Sequence, residues 1–308
     1  MNLKSISPRR GFFLAAFLLL CASVTAIAQN KVEFTRTEDV IYGHKSGMAL
    51  TMDVFQPKAT NNGLGIVFVV SGGWVSSHDH INVGAYEVLL NRGYTVFAVV
   101  HGSQPKFQIP EAMQDMHRAV RFIRHNAAKW GVNPDKLGVT GASAGGHLSL
   151  VLGTQTDAAA GQKKDDIDRE SSAVQCVACF FPPTDFLNYG TNGADGVGFG
   201  VLKGFKGAFG PQADTEEGRK QLGREISPFY SISSNTPPTL IIHGSADKLV
   251  PIQQAEIFIN HAKELGVNAK LVVRKGKEHG WPGLVENDMK VCADWFDEHL
   301  RGTKKPAP

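Results

Sequence analysis

The sequence predicts an α/β protein: a mostly parallel central sheet with helices on both faces. Three observations carry that reading. Short, nearly continuous apolar runs alternate with amphipathic segments from end to end, and runs of that kind are strands covered on both sides. The candidate catalytic residues all fall just after such runs, at the carboxyl ends of strands, where parallel sheets carry their functional loops. Finally, about 280 residues follow an N-terminal leader, enough for one large domain with a sizeable core and short for two.

The leader comes first. Lys4, Arg9 and Arg10 precede an apolar run, Gly11 to Ala22, that is too short for a stable membrane anchor. Ala26-Ile27-Ala28 then offers the small-x-small pattern of a cleavage site. Residues 1–28 are thus expected to be a signal peptide, 29–308 a single domain, and the protein to be exported, periplasmic or secreted. Pro8-Arg9-Arg10-Gly11-Phe12-Phe13 fits a twin-arginine signal as well as an ordinary one. Cys21 follows leucines rather than a small residue, which argues against lipid anchoring. No later stretch is apolar for long enough to cross a membrane. The chain holds 32 Lys+Arg against 29 Asp+Glu. Removing the leader's three basic residues leaves a balance of zero, so charge gives no reason to expect a nucleic-acid partner.

The elements then follow in order. Val32 to Pro57 reads as two strands, the second Ala49 to Phe55. Gly65 to Val70 (GIVFVV) is an apolar strand, with a helix near Val83 to Asn91 and a strand at Thr95 to Val100 after it. From Pro110 to Trp130, Met113, Met116, Val120, Ile123, Ala127 and Trp130 recur at steps of three and four. That is one face of a helix, with Arg118, Arg121, Arg124 and His125 on the wet face. The strand Leu137 to Thr140 leads through a turn into a helix over His147 to Leu152. Val174 to Phe181 (VQCVACFF) is a buried strand, so Cys176 and Cys179 point to opposite faces and cannot converge on a metal or on each other. Thr239 to His243, Gln253 to Leu265, Ala269 to Val273 and Glu286 to Leu300 complete the pattern as strand, helix, strand and helix. Two segments break it. Thr156 to Ser172 is polar, an exposed loop. Leu187 to Glu225 is Gly-rich with interleaved Phe199, Phe205 and Phe209, and reads as a flexible cap over the site (187–225).

The chemistry centres on Gly141-Ala142-Ser143-Ala144-Gly145, a G-x-S-x-G between strand and helix. A nucleophile elbow is so sharp that only small residues fit around its serine. A serine hydroxyl needs a base to take its proton. Glu278-His279-Gly280-Trp281 lies just beyond a late strand and supplies His279. Asp247, in the turn after the Thr239 strand, supplies the acid that orients it, with Asp185 as the rival and Glu278 expected to point away. His243 and His147 read as structural, and His78-Asp79-His80 is too common a pattern to argue for a metal. Oxyanion stabilisation needs backbone N–H groups. Ala144 follows the nucleophile, and Gly72 and Gly73 lie in the loop after the Gly65–Val70 strand. Trp74 would wall the acyl or alcohol site.

Several stretches carry a resemblance: SGGW (71–74), HGSQPKF (101–107), PDKLGVTGASAGGHLSL (134–150), FPPTDF (181–186), HGSADKLVP (243–251) and EHGW (278–281). Over roughly Ala49 to Leu300 the chain resembles secreted carboxylesterases of the α/β-hydrolase superfamily. The nearest branch is that of acetyl-esterase, acetyl-xylan-esterase and feruloyl-esterase-like (BD-FAE-like) domains. The resemblance implies the α/β-hydrolase fold, Ser143, Asp247 and His279 as a triad, and Gly72, Gly73 and Ala144 as oxyanion donors. It also implies an ester or an esterified polysaccharide as substrate, acting through an acyl-enzyme with no cofactor or metal. The crowding expected from Trp74 suggests short acyl chains. One departure stands out. The family's HGGGW begins His-Gly, whereas this chain has Val70-Ser71-Gly72-Gly73-Trp74 and lacks the histidine that braces the loop. Two other readings stay open: a serine peptidase of the same fold, and a non-catalytic secreted binding protein.

Overall fold

The computed structural model describes residues 32–155 and 165–302. The expected leader, with its twin-arginine and Cys21 readings, lies outside those residues, as does most of the 156–172 stretch. Eight strands form one sheet: β1 (Phe34–Lys45), β2 (Met48–Pro57), β3 (Gly65–Val70), β4 (Thr95–Val100), β5 (Leu137–Thr140), β6 (Cys176–Phe180), β7 (Thr239–Gly244) and β8 (Ala269–Arg274). Their order is β1-β2-β4-β3-β5-β6-β7-β8. The β1–β2 and β2–β4 pairs are antiparallel and every other pair is parallel. The helices are α1 (Glu87–Asn91), α2 (Ile109–His125), α3 (Ala144–Thr154), α4 (Lys206–Phe209), α5 (Glu216–Ile226), α6 (Gln253–Glu264) and α7 (Met289–Phe296).

The pleat of the strands divides the core in two. Val67, Val69, Val139 and Cys179 face α2, α3 and α6, whereas Ile66, Val70, Cys176 and Ala178 face α1 and α7. Cys176 and Cys179 are therefore on opposite faces, both buried and unbonded. Each fully buried large apolar side chain here contributes about 1.5–3 kcal/mol relative to exposure. Among the described residues no helix is long and apolar enough to cross a membrane.

The helix over 109–125 begins with a capping box, in which the Glu111 carboxylate accepts the Gln108 N–H at 2.9 Å. Its polar face differs from expectation. Arg121 and Arg124 are buried rather than wet. Arg121 Nε donates to Glu170 O at 3.1 Å, and the Arg124 guanidinium donates to the carbonyls of Pro134, Ser171 and Ala173. A long cationic side chain lets its stem pack while its head meets carbonyls, and here the head ties the chain down just before β6. Ser172, expected in an exposed loop, is buried against His117 Nδ1 at 2.9 Å.

The Gly-rich stretch is mostly folded. It holds a 3₁₀ turn at Gly200–Phe205, then α4, a second turn at Pro211–Asp214, and α5. Arg219 reaches back to Asp195 at 2.6 Å, and Leu202, Ala208, Phe209, Ala213 and Leu222 are buried. Phe205 and Phe209 pack edge-on against Trp74, with ring centroids 6.1 and 5.6 Å away.

Candidate active site

Only three residues separate β5 from α3, and Ser143 is the last of them. Its φ of 54° and ψ of −119° are strained for a residue with a side chain. Two bonds hold the bend: Ser143 N–H to Phe180 O at 2.9 Å and Gly145 N–H to Ala142 O at 2.8 Å. The flanking glycines are required by space. A Cβ at Gly141 would meet the Gly145 carbonyl at 2.6 Å, and one at Gly145 would meet Val69 O at 2.8 Å.

The bend lifts the Ser143 hydroxyl to His279, whose Nε2 lies 2.9 Å from Oγ. On the other side His279 Nδ1 lies 2.7 Å from Asp247 Oδ2. Asp247 Oδ1 accepts the N–H groups of Leu249 and Val250, each at 2.9 Å. Burial by itself would raise the Asp247 pKa. Hydrogen bonds from His243, His279 and the Val250 N–H outweigh it and hold the carboxyl well below its usual range. An ionised carboxylate only accepts, so the proton of neutral His279 sits on Nδ1. The Nε2 lone pair then faces the serine. The Phe181 ring stands edge-on to both His279, at 4.6 Å, and Trp281, at 5.6 Å. Sequence reading did not single out Phe181, whose φ of 37° is a second strained backbone beside the serine.

The other candidate residues are engaged elsewhere. Asp185 accepts Leu187 N–H, Asn188 Nδ2 and Tyr230 OH, and does not meet His279. Glu278 is exposed. His243 bonds Val250 O at 2.9 Å and stands behind Asp247 at 3.4 Å. His147 is buried; its Nε2 donates to Ile226 O at 2.7 Å and its Nδ1 accepts the Trp74 indole N–H at 3.2 Å. His78 turns to Thr51 and Asp53, at 2.7 and 3.2 Å. With Asp39 and Asp53 it forms a group whose ligand atoms lie within 4.8 Å of one another, but Asp53 already pairs with Arg36.

The loop after β3 corrects two expectations. Gly72 N–H is spent on Val75 O at 3.0 Å, and Val75 N–H returns to Gly72 O at 3.0 Å. Between them Gly73 and Trp74 both have positive φ, 57° and 60°, as a type I′ turn demands. Tryptophan in that region costs about 1–2 kcal/mol. Gly72 is therefore not a free donor. Among the described residues no acceptor meets the N–H groups of Gly73, Trp74 or Ala144. The Trp74 side chain, expected to wall the site, is only 3% exposed and is bonded to His147 beneath the loop.

A histidine just after β4 braces this loop. Ser71 Oγ donates to His101 Nε2 at 2.8 Å, and His101 Nδ1 donates to Gly102 O at 2.8 Å. Burial lowers the His101 pKa to about 4, keeping the ring neutral for those roles. Ser76 Oγ donates to Val70 O and accepts the His101 N–H.

A strained serine between strand and helix on this sheet defines an α/β-hydrolase. The BD-FAE family model matches residues 52–262, and the chain belongs to that family. It is 27% identical over 241 residues to the probable carboxylic ester hydrolase LipM of Mycobacterium tuberculosis, covering 76% of this chain and 53% of that one. It is 25% identical over 274 residues to the acetylxylan esterase of Xylanibacter ruminicola, covering 88% of this chain and 50% of that one. The chain thus spans about half the length of the curated relatives it matches. A solved structure of a truncated carbohydrate esterase from gut microbiota superposes with a TM-score of 0.73 at 25% identity, over 89% of this chain and 99% of that one. Thermogutta terrifontis esterase 2 shares the fold at 22% identity, with a TM-score of 0.69 over 91% of this chain and 96% of that one.

Proposed function

We propose that the chain is a serine esterase that hydrolyses short carboxylic esters through an acyl-enzyme. The observation that carries this is the unbroken hydrogen-bonded line from Asp247 through His279 to the Ser143 hydroxyl. In this reading Ser143 Oγ attacks the ester carbonyl as His279 Nε2 takes its proton, and Asp247 stabilises the resulting imidazolium. The Gly73 and Ala144 N–H groups receive the charge that develops on the carbonyl oxygen. His279 returns the proton to the departing alcohol, then activates a water that releases the acid and regenerates the serine.

The names of the acetylxylan esterase and of a Butyrivibrio fibrisolvens endo-1,4-beta-xylanase B among the relatives support acetyl esters on a xylan-type polysaccharide as substrate. Feruloyl esters are the aromatic alternative within the same reading. The signal expected at 1–28 supports action outside the cytoplasm, and the Phe205 ring, 2.5 Å from where a Gly73 Cβ would stand, supports a cap role for the 187–225 segment.

The test is a panel of p-nitrophenyl esters, aminoacyl anilides and acetylated xylan, run on the wild type and Ser143→Ala. Ester hydrolysis and fluorophosphonate labelling are expected in the wild type, and a loss of several orders of magnitude in the variant. Full ester turnover by Ser143→Ala removes the reading. Preference for anilides makes the protein a peptidase, and the absence of both activities and of labelling makes it a binder.

A further inference from the structure

Asp247 presents Oδ2 to His279 while Oδ1 accepts the N–H groups of Leu249 and Val250. The Val250 N–H shares a peptide plane with the Leu249 carbonyl, and in a planar trans unit the two point in opposite directions. Whatever grips Leu249 O therefore aims the Val250 N–H. The grip is Tyr189, whose hydroxyl donates to Leu249 O at 3.0 Å. No other donor among the described residues reaches that oxygen. Tyr189 comes from the 187–225 segment and is itself held in place. It is 8% exposed, and its ring stacks on Phe186 with centroids 6.2 Å apart. On either side the backbone is clamped to the start of α6. Asn188 O accepts the side-chain amides of Gln253 and Gln254, each at 3.0 Å, and Gly190 N–H donates to Gln253 Oε1 at 3.1 Å. Burial, aided by the Asp247 charge, pushes the phenol pKa up, so the hydroxyl stays a donor.

We propose that Tyr189 is a positioning residue for the triad acid: through the 249–250 peptide it keeps the Val250 N–H on Asp247 Oδ1, so that Oδ2 stays on His279 Nδ1. The inference rests on the esterase reading above. Tyr189 touches no reacting atom and acts only through that peptide and the carboxylate. Without its hydroxyl the Leu249 carbonyl has no protein partner, and the peptide turns to find water. That rotation draws the Val250 N–H off the carboxylate. Asp247 then keeps one N–H donor on Oδ1 instead of two, and its hold on the imidazole loosens.

Tyr189→Phe deletes only the hydroxyl and keeps the stacked ring. On a short p-nitrophenyl ester its kcat is expected to fall about 3- to 30-fold, part of the effect of losing a hydrogen bond to a charged group, with KM changed less than about twofold. A double-mutant cycle separates positioning from simple support of the fold. In an Asp247→Ala background there is no carboxylate to aim, so adding Tyr189→Phe is expected to change kcat less than about twofold. A tyrosine that only supports the fold lowers kcat by the same factor in both backgrounds. A folded Tyr189→Phe less than about threefold below wild type in kcat overturns the inference, as does an equal loss in the Asp247→Ala background. If Tyr189→Phe does not fold, an ester in place of the 249–250 amide, which removes the Val250 N–H directly, decides alone. A fall in kcat of about threefold or more then supports the inference, and a smaller one overturns it. An inactive wild type or an active Ser143→Ala removes the esterase reading and this inference with it; normal controls beside an unaffected Tyr189→Phe remove the inference only.

Discussion

Replacing Asp247 by asparagine changes one atom and reverses the direction of a hydrogen bond. Two N–H groups, from Leu249 and Val250, point at Asp247 Oδ1. The asparagine oxygen must stay there, since flipping it would set an NH₂ against two donors and lose two buried hydrogen bonds at about 1–3 kcal/mol each. That preference of about 2–6 kcal/mol favours the wrong orientation by roughly 30-fold to 10⁴-fold. The NH₂ then faces His279 Nδ1, which lies 2.7 Å from the carboxylate in the native protein. His279 must accept at Nδ1 and carry its proton on Nε2, against the serine, where it cannot act as a base. Losing the negative charge also removes stabilisation of the imidazolium. Together these effects are expected to lower kcat about 10⁴-fold, about 5 kcal/mol in the barrier, while the fold survives. Initial rates on p-nitrophenyl acetate, with thermal unfolding as the control, measure it. A folded Asp247→Asn enzyme within tenfold of wild type would refute the assignment of Asp247 and the tautomer argument together.

Two further outcomes follow. Gly73→Ala places a methyl group at positive φ and 2.5 Å from Phe205, so it should destabilise the protein by about 1–2 kcal/mol or more and lower kcat; an unchanged melting temperature and kcat would contradict the turn geometry. Acid should destabilise the protein well above the carboxylate range, because burial lowers the pKa of His101, His117 and His147 to about 4. Between about pH 6.5 and 4 the unfolded chain binds protons that the native state refuses, so stability falls as pH drops through that window. At pH 5 each ring costs about 2 kcal/mol relative to pH 8, and thermal melts at the two pH values should differ accordingly; equal melts would mean that the three rings are not held neutral.

Much of the frame was legible because burial on both faces writes itself as unbroken apolar runs. The bounds read for β3 and β4 match the observed ones. The α5 helix escaped because EEGRKQLGREI has glycines at 218 and 223 and buries only Leu222, Gly223 and Ile226, too few for a periodic signal. Arg121 and Arg124 were misplaced because periodicity counts charges as wet, whereas carbonyls near the end of the 165–175 stretch receive both heads. At the site, the order of Ser143, Asp247 and His279 was readable. That the Gly72 N–H is consumed was not, since a motif does not reveal its pairing with Val75. The partnership of Ser71 with His101 joins positions thirty residues apart and has no local signature.

The indole of Trp74 and the imidazole of His147 join the loop that follows β3 to the helix that carries the serine. Loop and helix therefore share a crossbar, roofed by Phe186, Phe205 and Phe209. That contact, buried at both ends, holds the loop against the helix from inside the core. Replacing those rings by smaller side chains would therefore loosen the seat of the loop as well as the core.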